Sequence, residues 1–202
     1  VDMKSPGVTL VPTRTVDGGW EINEVFFDAV RVPADQLVGV ENRGWDYAKF
    51  LLTNERNGQA RVGLAKARLR RIRGLLDHPA DGSDPVAASS TLRRRLAELE
   101  VEMRALEMTQ MRVVAAERGD GKPDPASSIL KIRGSELQQA TSELLMDVMG
   151  PAAVVRHGEA ADAALDWARG GAATYFNLRK LSIYGGANEI QRTIIAKAIL
   201  GL

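Results

Sequence analysis

The residues best suited to chemistry lie near the end of the chain, where Gly185 and Gly186 lead into a predicted helix that starts around Asn188. Glycine lets the backbone turn sharply and lets another molecule approach it closely. A helix start offers free N–H groups and partial positive charge, which suit an anionic ligand. The alternative is an ordinary glycine turn before a C-terminal helix that docks on a core. This pattern leaves both interpretations open.

The final helix carries two further signals. Asn188 is a favoured N-cap residue, and Gln191, three residues later, can complete a capping-box-like pair. Apolar residues follow at helical spacing: Ile190, Ile194 and Ala198, with Ile195 and Ile199 beside them. The sequence therefore predicts a capped, amphipathic helix.

Composition excludes several classes of function. The chain has 202 residues, a net charge of +1 and 26% charged residues, so no basic footprint indicates a nucleic acid or membrane partner. No apolar run reaches the length of a membrane span. The absence of cysteine excludes disulfides and thiol catalysis, and it fits a cytoplasmic protein. Two isolated histidines give little reason to expect a metal site.

The first 40 residues have the pattern of β-structure and turns. Short strands are predicted over residues 8–11 and 24–27, around a turn at 17–19. Pro33 and Gly39 mark the end of this segment.

The rest of the chain is predicted to be helical. Helices are expected over residues 45–76, from about 92 to 119, from 125 to 150, from about 159 to 180, and at the C-terminus. The second of these has an apolar seam at steps of four and three, and the third repeats leucine every seven residues. The seam residues are Leu92, Leu96, Leu99, Met103 and Leu106, and the repeat consists of Leu130, Leu137 and Leu144. Long helices with short connections predict a mainly α protein with an antiparallel bundle.

Two motifs at opposite ends of the chain resemble flavin-dependent acyl-CoA dehydrogenases. The first is Tyr-Gly-Gly-Ala-Asn-Glu-Ile-Gln-Arg at 184–192, followed by Ile-Leu-Gly at 199–201. The second is Phe-Phe-Asp-Ala-Val-Arg-Val-Pro at 26–33, followed by Leu-Val-Gly at 37–39 and Asn-Arg-Gly-Trp at 42–45. The resemblance covers essentially the whole chain. It implies the tail of the middle β-domain at 1–40 and the C-terminal helical bundle domain at 41–202. Family members are roughly twice as long as this chain.

The resemblance also implies a catalytic base. Many family members have a glutamate directly after the tyrosine of the final motif, but this chain has Gly185 there. A second family location is an acidic residue before an arginine on the first helix, which matches Glu55 and Arg56. The alternative for Glu55 is a surface glutamate, and for Arg56 a simple salt bridge. Tyr184, Gly185 and Gly186 are expected to bind substrate, with the Gly185 N–H on the substrate carbonyl.

The cofactor implied by the resemblance is FAD. By position, Ala187 and Glu189 approach the FAD of the same subunit. Met146 and Gly150 match loosely an element that contacts the FAD of a neighbouring subunit. The family's third element, an arginine followed by phenylalanine and glycine that grips the neighbour's FAD phosphates, is missing from residues 76–85.

Because this element is missing, the sequence does not decide between two kinds of oligomeric assembly. The resemblance implies either a homotetramer or an α2β2 heterotetramer with fewer flavins than chains, with an acyl-CoA substrate and electron-transfer flavoprotein as the electron acceptor. A base on the first helix favours a bulky acyl group. The competing interpretations are an acyl-CoA oxidase-like enzyme and a non-catalytic subunit that stabilises an active partner.

Overall fold

The computed structural model describes residues 1–54, 58, 60–79, 90–116, 125–155 and 163–202, with the backbone alone at 52–54 and 163–165. Its strands are β1 (Val8–Thr13) and β2 (Ile22–Phe27). Its α-helices are α1 (Gly44–Asn54), α2 (Val62–Asp77), α3 (Ser90–Ala116), α4 (Ser127–Met149), α5 (Gly171–Leu178) and α6 (Asn188–Ile195). Short 3-10 segments cover Ala34–Gln36, Gly150–Val154, Ala163–Ala168 and Arg179–Ser182, and a π-helical turn at Ala196–Leu200 follows α6.

The two strands form an antiparallel ribbon that is slightly longer than predicted. Val8 lies opposite Phe27, and Thr13 lies opposite Ile22. All six residues of β2 are exposed, so the ribbon buries little apolar surface within this chain. A two-stranded ribbon is marginally stable by itself, and contacts to the bundle therefore matter.

One such contact joins the turn of the ribbon to α5. Asn177 Nδ2 donates to Asp17 Oδ2 at 3.0 Å and to Glu21 Oε1 at 2.7 Å. Glu21 also pairs with Lys180. Hydrogen bonds from Thr15 and then Asn177 lower the pKa of Asp17, because both donors stabilise the carboxylate. These hydrogen bonds and the ion pair hold the turn of the ribbon against the helical part of the chain.

Helix α4 lies at the centre of the bundle and packs against α2, α3, α5 and α6. The predicted leucine repeat is confirmed, because Leu130, Leu137 and Leu144 are at most 5% exposed. The seam of α3 is also confirmed: Leu96, Met103 and Leu106 are buried, while Leu92 and Leu99 pack against the core. The mainly helical fold with a small ribbon is therefore as predicted.

Two predicted helices are interrupted. The helix expected over 45–76 is divided into α1 and α2, and Arg61 before α2 has a left-handed backbone with φ of 48°. The helix expected over 159–180 is replaced by 3-10 segments around α5, and Gly170 before α5 has φ of 75°. A left-handed residue cannot continue an α-helical ladder, so each marks a break.

The final helix buries polar residues and leaves its isoleucines exposed or half-buried. Asn188 and Gln191 are its buried residues, whereas Ile190 is 56% exposed and Ile199 is 47% exposed. Ile194 and Ile195 are half-buried, and Ala198 is exposed. The predicted amphipathic helix is present, and its contact with α4 is made by polar residues, since Asn188 bonds to Lys131.

Replacing Leu144 with alanine tests the importance of α4 as the central helix. Leu144 is fully buried, so Leu144→Ala should lower the free energy of unfolding by about 3 kcal/mol through lost burial and a cavity. Leu64→Ala on α2 is the matched control, because Leu64 is 54% exposed. Chemical denaturation of the complete gene product measures both. Equal losses for the two variants would contradict this packing.

Within the described ranges, we find no helix with the length and apolarity needed to cross a membrane.

Candidate functional site

The glycine turn has the geometry that its sequence predicts. Gly185 and Gly186 have φ of 67° and 89°, a region that L side chains rarely adopt. A Cβ added to Gly186 would lie 2.4 Å from Nε2 of Gln191. Backbone conformation therefore favours glycine at both positions, and a side chain at 186 would in addition displace the Gln191 amide.

The start of α6 lacks a side-chain cap, contrary to the sequence prediction. Ala187 is the N-cap residue, and it makes no side-chain capping hydrogen bond. Asn188 is instead turned inward and is 5% exposed. Its Oδ1 accepts a hydrogen bond from Lys131 Nζ at 2.8 Å, and its Nδ2 donates to Ser135 Oγ at 3.0 Å. The capping prediction is wrong because α4 offers Asn188 a buried partner.

The buried partner is a lysine beneath the helix start. Lys131 is 1% exposed, and burial lowers its pKa, while the negative charge of Glu189 acts in the opposite direction. Neighbouring buried polar groups include Gln191, Ser127 and Ser128. Gln191 Oε1 and the two serine hydroxyls have no hydrogen-bond partner within the described structure. The interface between α4 and α6 is therefore polar, with a buried cation next to an uncapped helix start.

Tyr184, directly before the glycines, is tied to the start of α2. Arg61 Nη2 donates to the Tyr184 hydroxyl at 3.1 Å. The Arg61 carbonyl accepts from Nε2 of Gln138, a fully buried residue of α4, at 2.9 Å. The structure thus brings Tyr184, Gly185, Gly186, Ala187 and Glu189 together in one turn and anchors that turn to two helices.

Met146 and Gly150 lie elsewhere. Gly150 has φ of 55°, its N–H donates to the Met146 carbonyl, and the space beside its Cα is open. Gly150 is nineteen residues beyond Lys131 along the chain, which at 1.5 Å per residue is about 28 Å. The structure therefore does not bring Met146 and Gly150 to the glycine turn.

Glu55 and Arg56 lie outside the described residues, as do residues 80–85 of the loop that lacks the arginine element. Helix α1 ends at Asn54, directly before Glu55.

Sequence reasoning missed Lys131, Arg61 and Gln138. A signal existed for Lys131, because it interrupts the apolar side of α4 together with Ser127, Ser128 and Ser135 at helical spacing. Nothing in the sequence pattern marks Arg61, whose carbonyl accepts a hydrogen bond from Gln138, 77 residues away.

The fold and the site together define a helical-bundle domain in which two glycines precede a helix whose N-terminus has no side-chain cap. Residues 42–200 match the family model "Acyl-CoA dehydrogenase, C-terminal domain". Acyl-CoA dehydrogenase IpdE1 of Mycobacterium tuberculosis is 33% identical over 207 residues, covering 100% of this chain and 49% of its own length. The chain belongs to the acyl-CoA dehydrogenase family, whose members are FAD enzymes of lipid metabolism.

Solved structures agree with this assignment. The ChsE4-ChsE5 complex from Mycobacterium tuberculosis matches with a TM-score of 0.82 and 28% identity, over 100% of this chain and 52% of that chain. Glutaryl-coenzyme A dehydrogenase matches with a TM-score of 0.77 over 98% of this chain and 48% of that chain. At 20% sequence identity, this second match is evidence for the fold only. The chain spans about half the length of IpdE1 and of these structures.

Proposed function

We propose that this chain forms the C-terminal part of an FAD-dependent acyl-CoA dehydrogenase that introduces an α,β double bond into an acyl-CoA thioester. The observation that carries the proposal is the glycine turn before an uncapped helix, in a chain whose family model spans residues 42–200. We retain the division into a β-domain tail at 1–40 and a helical domain at 41–202 as part of this proposal.

The turn suits the substrate carbonyl. During removal of the α-proton, negative charge develops on the thioester oxygen, and a fixed N–H donor stabilises that charge. Gly185 has no side chain and has φ of 67°, so its amide N–H is not shielded by a Cβ. We assign the Gly185 N–H to the carbonyl, with Tyr184 and Gly186 beside the acyl group.

The base is Glu55. A carboxylate in an apolar pocket has a raised pKa, which brings it closer to the acidity of the α-carbon and favours proton transfer. Gly185 cannot accept a proton, so the family's second base position is required. Arg56 follows in sequence and is assigned to the support of this pocket.

The described residues fit FAD at the turn. An uncapped helix start and a buried ammonium beneath it favour a negatively charged group. Ala187 and Glu189 would approach the ribityl–pyrophosphate region through the start of the helix. Bound FAD supplies the two-electron acceptor that takes the β-hydride at flavin N5, and electron-transfer flavoprotein is our proposed onward acceptor.

The experiment uses the complete gene product with a panel of acyl-CoA thioesters and an artificial electron acceptor. Mass spectrometry of the thioester should show a product lighter by two hydrogens, and we expect bulky acyl groups to react best. Hydrogen peroxide formed under air without the acceptor would favour an oxidase instead. A thioester mass that stays unchanged across the panel would contradict the proposal.

A second candidate is a subunit of an α2β2 assembly. The observation that favours it is the absence of the arginine–phenylalanine–glycine element from residues 76–85. A two-component complex, ChsE4-ChsE5, is also among the structures that this chain resembles. In that assembly Met146 and Gly150, remote from the glycine turn, would face a neighbour's FAD. Flavin content measured with and without the product of a neighbouring gene distinguishes this candidate from a homotetramer.

The isolated 202-residue chain should bind FAD poorly. The chain covers 49% of IpdE1, and the family resemblance places most isoalloxazine contacts in the other half. Gel filtration with added FAD, followed by absorbance of the protein peak, measures retention. The complete gene product is the control. A stoichiometric yellow complex of the isolated chain would contradict this expectation.

A further inference from the structure

Arg61 has a backbone conformation that needs an explanation. Its φ of 48° lies in the left-handed region, and it occupies the N-cap position of α2 without capping the helix through its side chain. Asparagine or glycine is the usual residue in this conformation, and a long side chain there is strained. Such strain persists where surrounding groups over-determine the backbone, and it concentrates near functional sites.

A buried clamp holds Arg61 in this conformation. Gln138 Nε2 donates to the Arg61 carbonyl at 2.9 Å, and Gln138 is fully buried. Its Oε1 accepts from Arg68 Nη1 at 2.8 Å, and the same nitrogen donates to Thr141 Oγ1 at 2.8 Å. Both ends of the Gln138 amide are thus used, and a buried amide with both ends satisfied has one stable orientation.

The side chain of Arg61 crosses from the start of α2 to the turn. Its Nη2 donates to the Tyr184 hydroxyl at 3.1 Å, which links positions 123 residues apart in sequence. Tyr184 is adjacent to Gly185, and two positive-φ glycines in succession leave that turn with little conformational restriction of its own. An external contact is therefore needed to hold the turn in one geometry.

We propose that Arg61 is a positioning residue, which acts through the Tyr184 hydroxyl to fix the glycine turn that binds the acyl thioester. The hydrogen bond from Gln138 fixes the Arg61 carbonyl, which is one end of this link. At the other end, the contact with the Tyr184 hydroxyl restrains Tyr184, and this restrains the N–H of the adjacent Gly185. The part of the inference that concerns the thioester rests on the proposed function.

Amide hydrogen exchange tests the link without any turnover. The amides of Ile183 and Tyr184 donate to the Lys180 carbonyl at 2.9 and 3.1 Å, and the amide of Gln191 donates to the Ala187 carbonyl at 3.0 Å. In the complete gene product, Arg61→Ala should accelerate exchange at these amides about tenfold, the effect of losing one hydrogen bond from a charged donor. Tyr184→Phe should act equally, and the double variant should be no faster than either single variant.

Two further variants separate positioning from general destabilisation. Arg61→Lys retains a cationic donor and should restore most of the protection. Arg70→Ala is the matched control, an exposed arginine of the same helix, and should leave exchange unchanged. Two results would overturn the link. The first is exchange in Arg61→Ala that is no faster than exchange in Arg70→Ala. The second is a double variant in which the accelerations caused by Arg61→Ala and Tyr184→Phe multiply.

Anaerobic flavin reduction by the reactive acyl-CoA then tests the functional part. Arg61→Ala should slow reduction about tenfold while FAD content stays at the wild-type level. Normal reduction in a variant whose turn exchanges faster would overturn the positioning role. If no thioester reduced the flavin of the wild-type protein, that result would count against the proposed function instead. The exchange data would still decide whether Arg61 holds the turn.

Discussion

Glu55→Gln should abolish reduction of the flavin by acyl-CoA while leaving the bound FAD in place. Glutamine has nearly the same shape as glutamate but cannot accept the α-proton, so the loss falls on the chemical step. Removal of a general base costs about 10²- to 10⁴-fold in rate. Stopped-flow bleaching under anaerobic conditions measures the effect, with FAD content read from the absorbance of the oxidised enzyme.

A control variant distinguishes this loss from a general effect of removing a carboxylate. Glu98 on α3 is exposed and pairs only with Arg94 among its ion-pair partners in the described structure. Glu98→Gln should therefore bleach at the wild-type rate, since surface pairs contribute little. If Glu55→Gln bleached as fast as Glu98→Gln, the base would lie elsewhere and the assignment by position would be wrong.

Asn188→Leu should be strongly destabilising, whereas Lys131→Met should be much milder. The first change leaves the buried Lys131 ammonium without the Asn188 oxygen that it contacts at 2.8 Å. A buried charge that loses its partner costs about 3 kcal/mol, while an apolar side chain of similar size in place of the charge is often tolerated. The double variant, Asn188→Leu with Lys131→Met, should recover most of the loss.

Thermal and chemical unfolding of the complete gene product measures these differences. Lys197→Met is the matched control, because Lys197 is exposed on the π-helical turn after α6 and should have little effect. A loss for Lys131→Met as large as that for Asn188→Leu would show that the lysine charge itself stabilises the fold. That result would contradict the view that Asn188 is turned inward to satisfy the lysine.

The long helices were predictable because their signals are local and repeated. The leucines of α4 recur every seven residues and the seam of α3 follows the same rule, so each helix specifies its own buried face. The ribbon was predictable because both strands flank a glycine turn. The glycines at 185 and 186 likewise indicated a turn, and their φ values confirm it.

The break before α2 was predictable only in part. Residues 45–76 contain no proline, but Asn57-Gly58 within them is a turn signal that the prediction of one continuous helix did not use. The left-handed conformation of Arg61 is associated with Gln138 on α4, which bonds to its carbonyl. A pattern read along one helix contains no information about such a partner.

The cap at the start of α6 was mispredicted for a related reason. Asn188 and Gln191 match the capping rules well, and the isoleucines match the rule for an amphipathic helix. Both rules assume that the partner surface is apolar or is solvent. Here the partner is the polar side of α4, with Lys131 and Ser135, and it binds Asn188 in place of the helix N-terminus.

The separation of the two proposed cofactor regions bears on the assembly. The glycine turn lies against the N-terminal half of α4, while Met146 and Gly150 lie at its C-terminal end. The assignment of Met146 and Gly150 to the FAD of a neighbouring subunit stays a prediction.

The most direct test of the central claim is anaerobic titration of the complete gene product with acyl-CoA thioesters, alone and with the product of a neighbouring gene. We predict that at least one thioester bleaches the oxidised flavin band in wild type and not in Glu55→Gln. Bleaching that requires the partner would place this chain in a heteromeric enzyme of the same class. A flavin that stays oxidised with every thioester, with and without the partner, would contradict the dehydrogenase assignment.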